Sequence, residues 1–144
     1  MKRVGRIWKF GDSIDTDVMA PGKYLSLDIK ELVPHTLEAV DPRFASDVRP
    51  GDLVLAGRNF GCGSSREQAP RLLKLLGVGA VLAVSFARIF ARNCTAIGLP
   101  SLGVPAAFWT ETEAGDEVEV DFVAGVLVNR RSGRTFSTPP VRRR

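Results

Sequence analysis

Cysteine and histidine are scarce in this chain, two and one respectively in 144 residues. Cys62 and Cys94 lie far apart and lack any CxxC spacing, so the chain alone holds neither a tetra-cysteine zinc site nor an iron–sulfur cluster. The same scarcity argues for free thiols rather than a secreted disulfide scaffold, and a cytoplasmic location is expected. No apolar run approaches the roughly 20 residues that span a bilayer, so no membrane partner is expected. The opening MKRVGRIWKFGD is followed by neither an apolar stretch nor a small-residue cleavage site, and no signal peptide is expected. Repeats and low-complexity stretches are absent, as is a GxxxxGK(S/T) phosphate loop.

What is present is the composition of a globular protein, 44% hydrophobic and 25% charged. The net charge of +4 is unevenly placed. Six of the 20 basic residues (Arg130, Arg131, Arg134, Arg142, Arg143 and Arg144) fall in the last fifteen positions. Residues 1–129 therefore carry 14 basic against 16 acidic side chains, a net of −2. A nucleic-acid footprint should cover a face of the domain, so this distribution argues against a nucleic-acid partner. Residues 1–138 read as one domain, and residues 139–144 as a basic tail expected to fray.

Hydrophobic periodicity gives the elements. A strand is expected around Ile7–Phe10, then a loop over residues 13–24. A short helix follows Ser26-Leu27-Asp28, ended or kinked by Pro34, with a second weak one over His35–Val40. LVLAG (53–57) reads as a strand, and the leucines at 72, 73, 75 and 76 as a helix with a wide apolar stripe stopped by Gly77. Ala80–Val84 is a strand, residues 87–98 a helix, and LPSLGVP extended. Val118, Val120 and Phe122 alternate with Glu119 and Asp121 before a turn at Ala124-Gly125, which predicts a hairpin with one wet face. The sum is a mixed α/β domain: a small sheet, flanking helices and a C-terminal β-hairpin.

The chemistry concentrates in Gly57–Glu67, GRNFGCGSSRE. Gly57, Gly61 and Gly63 allow positive φ and close backbone approach between a strand and a helix. Ser64 and Ser65 fall at the expected helix start, where free N–H groups favour an anion, and Arg66 adds a guanidinium suited to carboxylate or phosphate. A hydroxyl held there can be activated, because a helix N-terminus stabilises an alkoxide. The competing reading is a capping box, with Ser64 bonding the third helical amide and Glu67 reaching back.

Other features read more plainly. Asp12, Asp15 and Asp17 could bind a hard cation or simply form turns, and the EF-hand pattern fails. His35 reads as a packing or surface side chain, and Cys62 as a thiol that could be reactive in its loop. Phe86, Ile89 and Phe90 read as a core face rather than a base-stacking platform.

FGDSIDTDVMAPGKYL, RPGDLVLAGRNFGCGSSREQAP and SFARIFARNCTAIGLP together resemble the aconitase swivelling-domain family, over about residues 4–105. The resemblance is greatest to the separate small subunits of 3-isopropylmalate dehydratase and homoaconitase. It implies a swivelling β/β/α fold and a hydro-lyase that moves a hydroxyl between adjacent carbons of a malate-type acid. Isopropylmalate dehydration, in leucine biosynthesis, is the first expectation; homoaconitase, in lysine biosynthesis, is the alternative. An RNA-binding or regulatory module is the non-enzyme alternative. The resemblance further implies a large-subunit partner that supplies three cysteines to a 4Fe–4S cluster, with no cofactor or metal bound by this chain. It leaves self-association of small subunits open. By the same resemblance Ser64 is the base that removes a carbon-bound proton, Ser65 and Arg66 bind substrate carboxylates, and Asp17 belongs to the polar network at the site. Specificity is attributed to Tyr24, Leu25, Ser26 and Leu27: Leu27 suits an isopropyl group, and Ser26 stands where relatives often carry arginine.

Overall fold

Period-2 alternation layers this molecule. Val54, Ala56, Val81 and Ala83 enter one core cluster, while Leu53, Leu55, Ala80 and Leu82 enter another. The computed structural model describes residues 2–24, 27–64 and 67–138. Its strands are β1 (Lys2–Lys9), β2 (Leu53–Ala56), β3 (Ala80–Ala83), β4 (Ser101–Gly103), β5 (Glu117–Asp121), β6 (Val126–Asn129) and β7 (Thr135–Ser137). The helices are α1 (Thr16–Met19), α2 (Ile29–Leu32), α3 (Phe44–Asp47), α4 (Gln68–Leu75), α5 (Arg88–Ala96) and α6 (Ala106–Glu111). Among the described residues no helix is long and apolar enough to cross a membrane.

The strands form one mixed sheet in the order β4-β3-β2-β1-β5-β6-β7. β1 joins its two halves: Ile7–Lys9 pair parallel with β2, whereas Lys2–Arg6 pair antiparallel with β5. The sheet curls so that its antiparallel half covers the parallel half. Val118, Val120, Phe122, Leu127 and Phe136 share a cluster with Leu53, Leu55 and Leu82. Met19, Phe44, Phe60, Leu73, Phe90 and Cys94 cover the opposite face of β2 and β3. Both strands are buried along their whole length, which is why they read as continuous apolar runs. The layering is β/β/α, as expected, and the hairpin turns Val118, Val120 and Leu127 inward.

Several elements differ from the sequence reading. The stretch after Pro34 is not a helix: a 3-10 turn spans Val33–His35, and Leu37 takes a φ of 58° that directs it fully into the core. Residues 13–24 are not all loop, since α1 and a 3-10 turn at Gly22–Tyr24 lie within them. α3, α6 and β7 were not anticipated. The α4 stripe is narrower than its leucines suggest: Ala69, Pro70, Leu72 and Leu73 are buried while Leu75 is 56% exposed. Ile89 likewise turns outward, at 50% exposure.

One buried carboxylate ties α6 to the hairpin. Asp116, with a side chain 6% exposed, accepts from Arg131 Nε at 2.7 Å, Glu113 N at 2.8 Å and Asn129 Nδ2 at 3.0 Å. The Arg131 bond, ahead of the other two, holds its pKa down from 3.8 to about 2. Because the folded value lies below the unfolded one, the stabilisation is complete above pH 3.8 and disappears as pH falls through about 2. Asp116→Asn should lower unfolding stability by on the order of 1–2 kcal/mol at pH 7. Denaturant titrations should show that gap closing toward pH 2.

Candidate functional site

Three loops leave the carboxyl ends of the parallel strands β1, β2 and β3, the edge at which open α/β sheets place ligands. They are fastened to one another. Parallel bridges join Asp15 to Cys62 and Phe60 to Phe86. Main-chain bonds run from Ser13 N to Arg58 O (2.8 Å), Gly61 N to Ile14 O (2.8 Å), Thr16 N to Cys62 O (2.9 Å) and Ala87 N to Phe60 O (2.9 Å). Gly61 and Gly63 make this possible with φ of 84° and 91°. A Cβ on Gly61 would lie 2.2 Å from Phe90 Cγ, so glycine there sets how closely α5 packs on the loop.

Ser64 stands at the end of this loop, exposed, over a cleft of about 220 Å³. Thr16, Gly61, Gly63 and Ser64 line one side, and Arg88, Ile89, Phe90 and Asn93 line the other. α4 begins at Gln68 with Glu67 as its N-cap and no side-chain cap bond, so Ser64 lies ahead of the helix. The Ser64 main-chain carbonyl instead accepts from Thr16 Oγ1 at 2.7 Å, and the two hydroxyl oxygens are 3.3 Å apart. The helix whose first turn faces Ser64 across the cleft is α5, whose N-cap Ala87 supplies no side-chain acceptor. Those amides and the exposed Arg88, which forms no ion pair among the described residues, make the far wall attractive to an anion. A hydroxyl on one side and a cationic wall on the other suit proton chemistry beside a carboxylate.

The remaining candidate residues distribute around this cleft. Asp17 lines an adjacent depression of about 510 Å³ together with Asp15, Val18, Lys23 and Glu38. Asp15 caps α1, accepting from Val18 N at 2.8 Å, and Asp12 accepts from Arg58 N at 2.6 Å. These aspartates hold turns together, and no metal-binding cluster occurs among the described residues. The Tyr24 ring stacks on His35, centroids 3.8 Å apart, and packs against Ala20, Leu32 and Leu72. His35 Nδ1 lies 2.8 Å from Glu38 Oε1. Leu27 N donates to Tyr24 O at 2.9 Å. Tyr24 and Leu27 are not among the described residues lining the Ser64 cleft. Leu25, Ser26, Ser65 and Arg66 lie outside the described residues. Cys62 is half-buried in the glycine loop.

Sequence reasoning missed Thr16, Arg88 and Asn93. Thr16 sat unremarked between two aspartates, and the aromatics around Arg88 drew the reading toward a core face. Phe60, Phe86 and Phe90 do form an aromatic cluster, which leaves Arg88 and Asn93 as the polar residues of that segment lining the cleft.

Residues 14–107 match the Aconitase C-terminal domain family. The chain is 51% identical to the 3-isopropylmalate dehydratase small subunit of Thermodesulfovibrio yellowstonii, over 98% of this chain and 84% of that one. It is 49% identical to the methanogen homoaconitase small subunit of Methanothermobacter thermautotrophicus, over 94% and 78% respectively. A crystal structure of 3-isopropylmalate dehydratase from Methanocaldococcus jannaschii superposes with a TM-score of 0.88 at 43% identity, covering 95% of this chain and 81% of that chain.

Proposed function

This chain belongs to the aconitase C-terminal domain family, and from that premise we propose that it is the small subunit of a two-subunit hydro-lyase acting on 3-isopropylmalate. The observation that carries the reading is the pairing of Ser64 with an anion-attracting wall in a chain alike along nearly its whole length to such subunits. In this reading Ser64 removes the proton from the carbon beside a substrate carboxylate. The carbon–hydrogen bond breaks to the serine oxygen, and its electron pair enters the double bond that forms as hydroxide leaves the neighbouring carbon. Such a proton is weakly acidic, so a strong base shielded from water is required. Ser64 is exposed in the chain by itself, and a partner closing over the cleft supplies that shielding.

Ser65 and Arg66 hold carboxylates beside Ser64, and Asp17 contributes to the polar network. We assign the family's 4Fe–4S cluster to the large subunit, where it would supply a Lewis acid for the departing hydroxyl. This chain's thiols do not fit it: there are two, and burial pushes Cys94 up to about 12, away from the thiolate that iron requires.

Overall identity does not sort the substrate, since relatives named for isopropylmalate and for homoaconitase lie at 51% and 49%. The loop Tyr24-Leu25-Ser26-Leu27 is the discriminating segment, with Leu27 against the isopropyl group. Leu27→Thr in the assembled enzyme should lower kcat/KM for isopropylmalate by roughly 10–100-fold and leave homoaconitate less affected, because a pocket methylene is worth about 1–3 kcal/mol. Steady-state kinetics on both acids check it. Equal losses on both would make the loop a structural element only.

A further inference from the structure

Thr16 is 2% exposed, and its hydroxyl faces Ser64 twice. Its backbone is pinned, with its N–H on Cys62 O at 2.9 Å and its carbonyl accepting from Ala20 N at 2.9 Å. Glycine at position 63 suits its positive φ of 91°, and a Cβ there would stand a tight 3.3 Å from Asp15 Cβ. A threonine hydroxyl has one proton to give and two lone pairs. The 2.7 Å contact to the Ser64 carbonyl takes that proton, so along the 3.3 Å contact Thr16 has a lone pair, not a proton, to offer the Ser64 hydroxyl.

Resting on the reading of Ser64 as the base, we infer that Thr16 is its positioning residue, a hydroxyl rotor that accepts from Ser64 while Ser64 is protonated and donates to it once it is an alkoxide. When the Ser64 proton leaves to water, rotation about the Thr16 Cβ–Oγ1 bond swings the threonine proton from the Ser64 carbonyl to the Ser64 oxygen. A neutral hydrogen bond is exchanged for a charge-assisted one, roughly twice as strong. When Ser64 takes the substrate's carbon-bound proton, the rotor returns to the carbonyl. Protons balance at each stage, and no group other than solvent and substrate takes part. The neighbouring charged or titratable groups among the described residues are Asp15 and Asp17 on and before α1, Cys62 in the glycine loop, Glu67 before α4 and Arg88 at the start of α5. None of them is replaced when Thr16 is changed, so a pH-profile difference between Thr16 variants reports the hydroxyl.

The test uses the enzyme assembled with its large subunit. Thr16→Val, which keeps the branched shape without the hydroxyl, should lower kcat by roughly 10²-fold, the usual worth of one donor to a developing oxyanion. KM should stay within about threefold, as Thr16 holds no carboxylate in this account. The pH at which kcat reaches half its plateau should rise by about one unit, since the alkoxide has lost one of its donors. Thr16→Ser should restore both kcat and the pH profile. If Thr16→Val does not assemble, Thr16→Ala against Thr16→Ser makes the same comparison, since both lack the methyl and differ in the hydroxyl. An unmoved pH profile in the hydroxyl-less variants, or a serine variant as slow as they are, overturns the rotor. Ser64→Gly separates the two ideas. If it is inactive while the Thr16→Val profile has not moved, only the rotor fails. If it retains turnover, the base assignment itself fails.

Discussion

Ser64→Gly in the assembled enzyme should fold, bind substrate and turn over at least about 10²–10⁴-fold more slowly than the parent, the range in which a positioned base contributes. The stability side of this expectation follows from the loop. The N-cap of α4 is Glu67, and of the two contacts with Thr16 glycine keeps the 2.7 Å bond to the main-chain carbonyl and loses the 3.3 Å one to the hydroxyl. The change leaves the N-cap of α4 in place, and its effect on stability should stay within about 1 kcal/mol. Ser64→Ala should behave the same way. The proposed carboxylate partners, Ser65 and Arg66, remain in both variants, so KM should change by no more than a few-fold while kcat falls. Thermal unfolding and steady-state kinetics on the same preparations separate the two effects. Near-normal turnover in Ser64→Gly would leave the cleft as an anion pocket without a serine base.

The layers were legible in the sequence because they rest on period. Val118, Val120 and Phe122 announce one buried face of the hairpin, and continuous apolar runs at 53–56 and 80–83 announce strands covered on both sides. Gly77 stops α4 as its position implies, with a φ of 88°. What stayed hidden was decided by distant contacts. β7 is three residues long and exists because Phe136 packs on Phe108, at 5.2 Å between ring centroids. α3 has four residues, too few to show a period, and is held by Phe44 against Trp8 and Phe10. Leu37 adopts a left-handed backbone to bury its side chain, and no local propensity signals that.

The site was legible in part for the same reason. The glycines at 61 and 63 mark a loop that must approach something closely, and the resemblance picks out Ser64 within it. The local capping pattern pointed elsewhere, to a helix start that the chain does not use at that residue. Thr16 and Arg88 could not be joined to Ser64 by spacing, because three separate strand ends bring them together. Short polar motifs identify candidates one at a time, and the sheet edge decides which of them meet.

Purified by itself, this chain should be colourless, hold no stoichiometric iron or sulfide, and show no dehydratase activity. Its two thiols cannot ligate a cluster, one of them being buried and held protonated, and its proposed base faces water. Turnover needs the complementary half of the site, so the effect of adding a large subunit should run from background to full activity. The most direct measurement titrates the chain into a cluster-loaded large subunit and follows formation of the unsaturated acid from 3-isopropylmalate by its ultraviolet absorbance. The account predicts that neither component acts alone and that the rate rises with added chain until it saturates. A rate that this chain does not raise, or activity and stoichiometric iron in the chain alone, would contradict it.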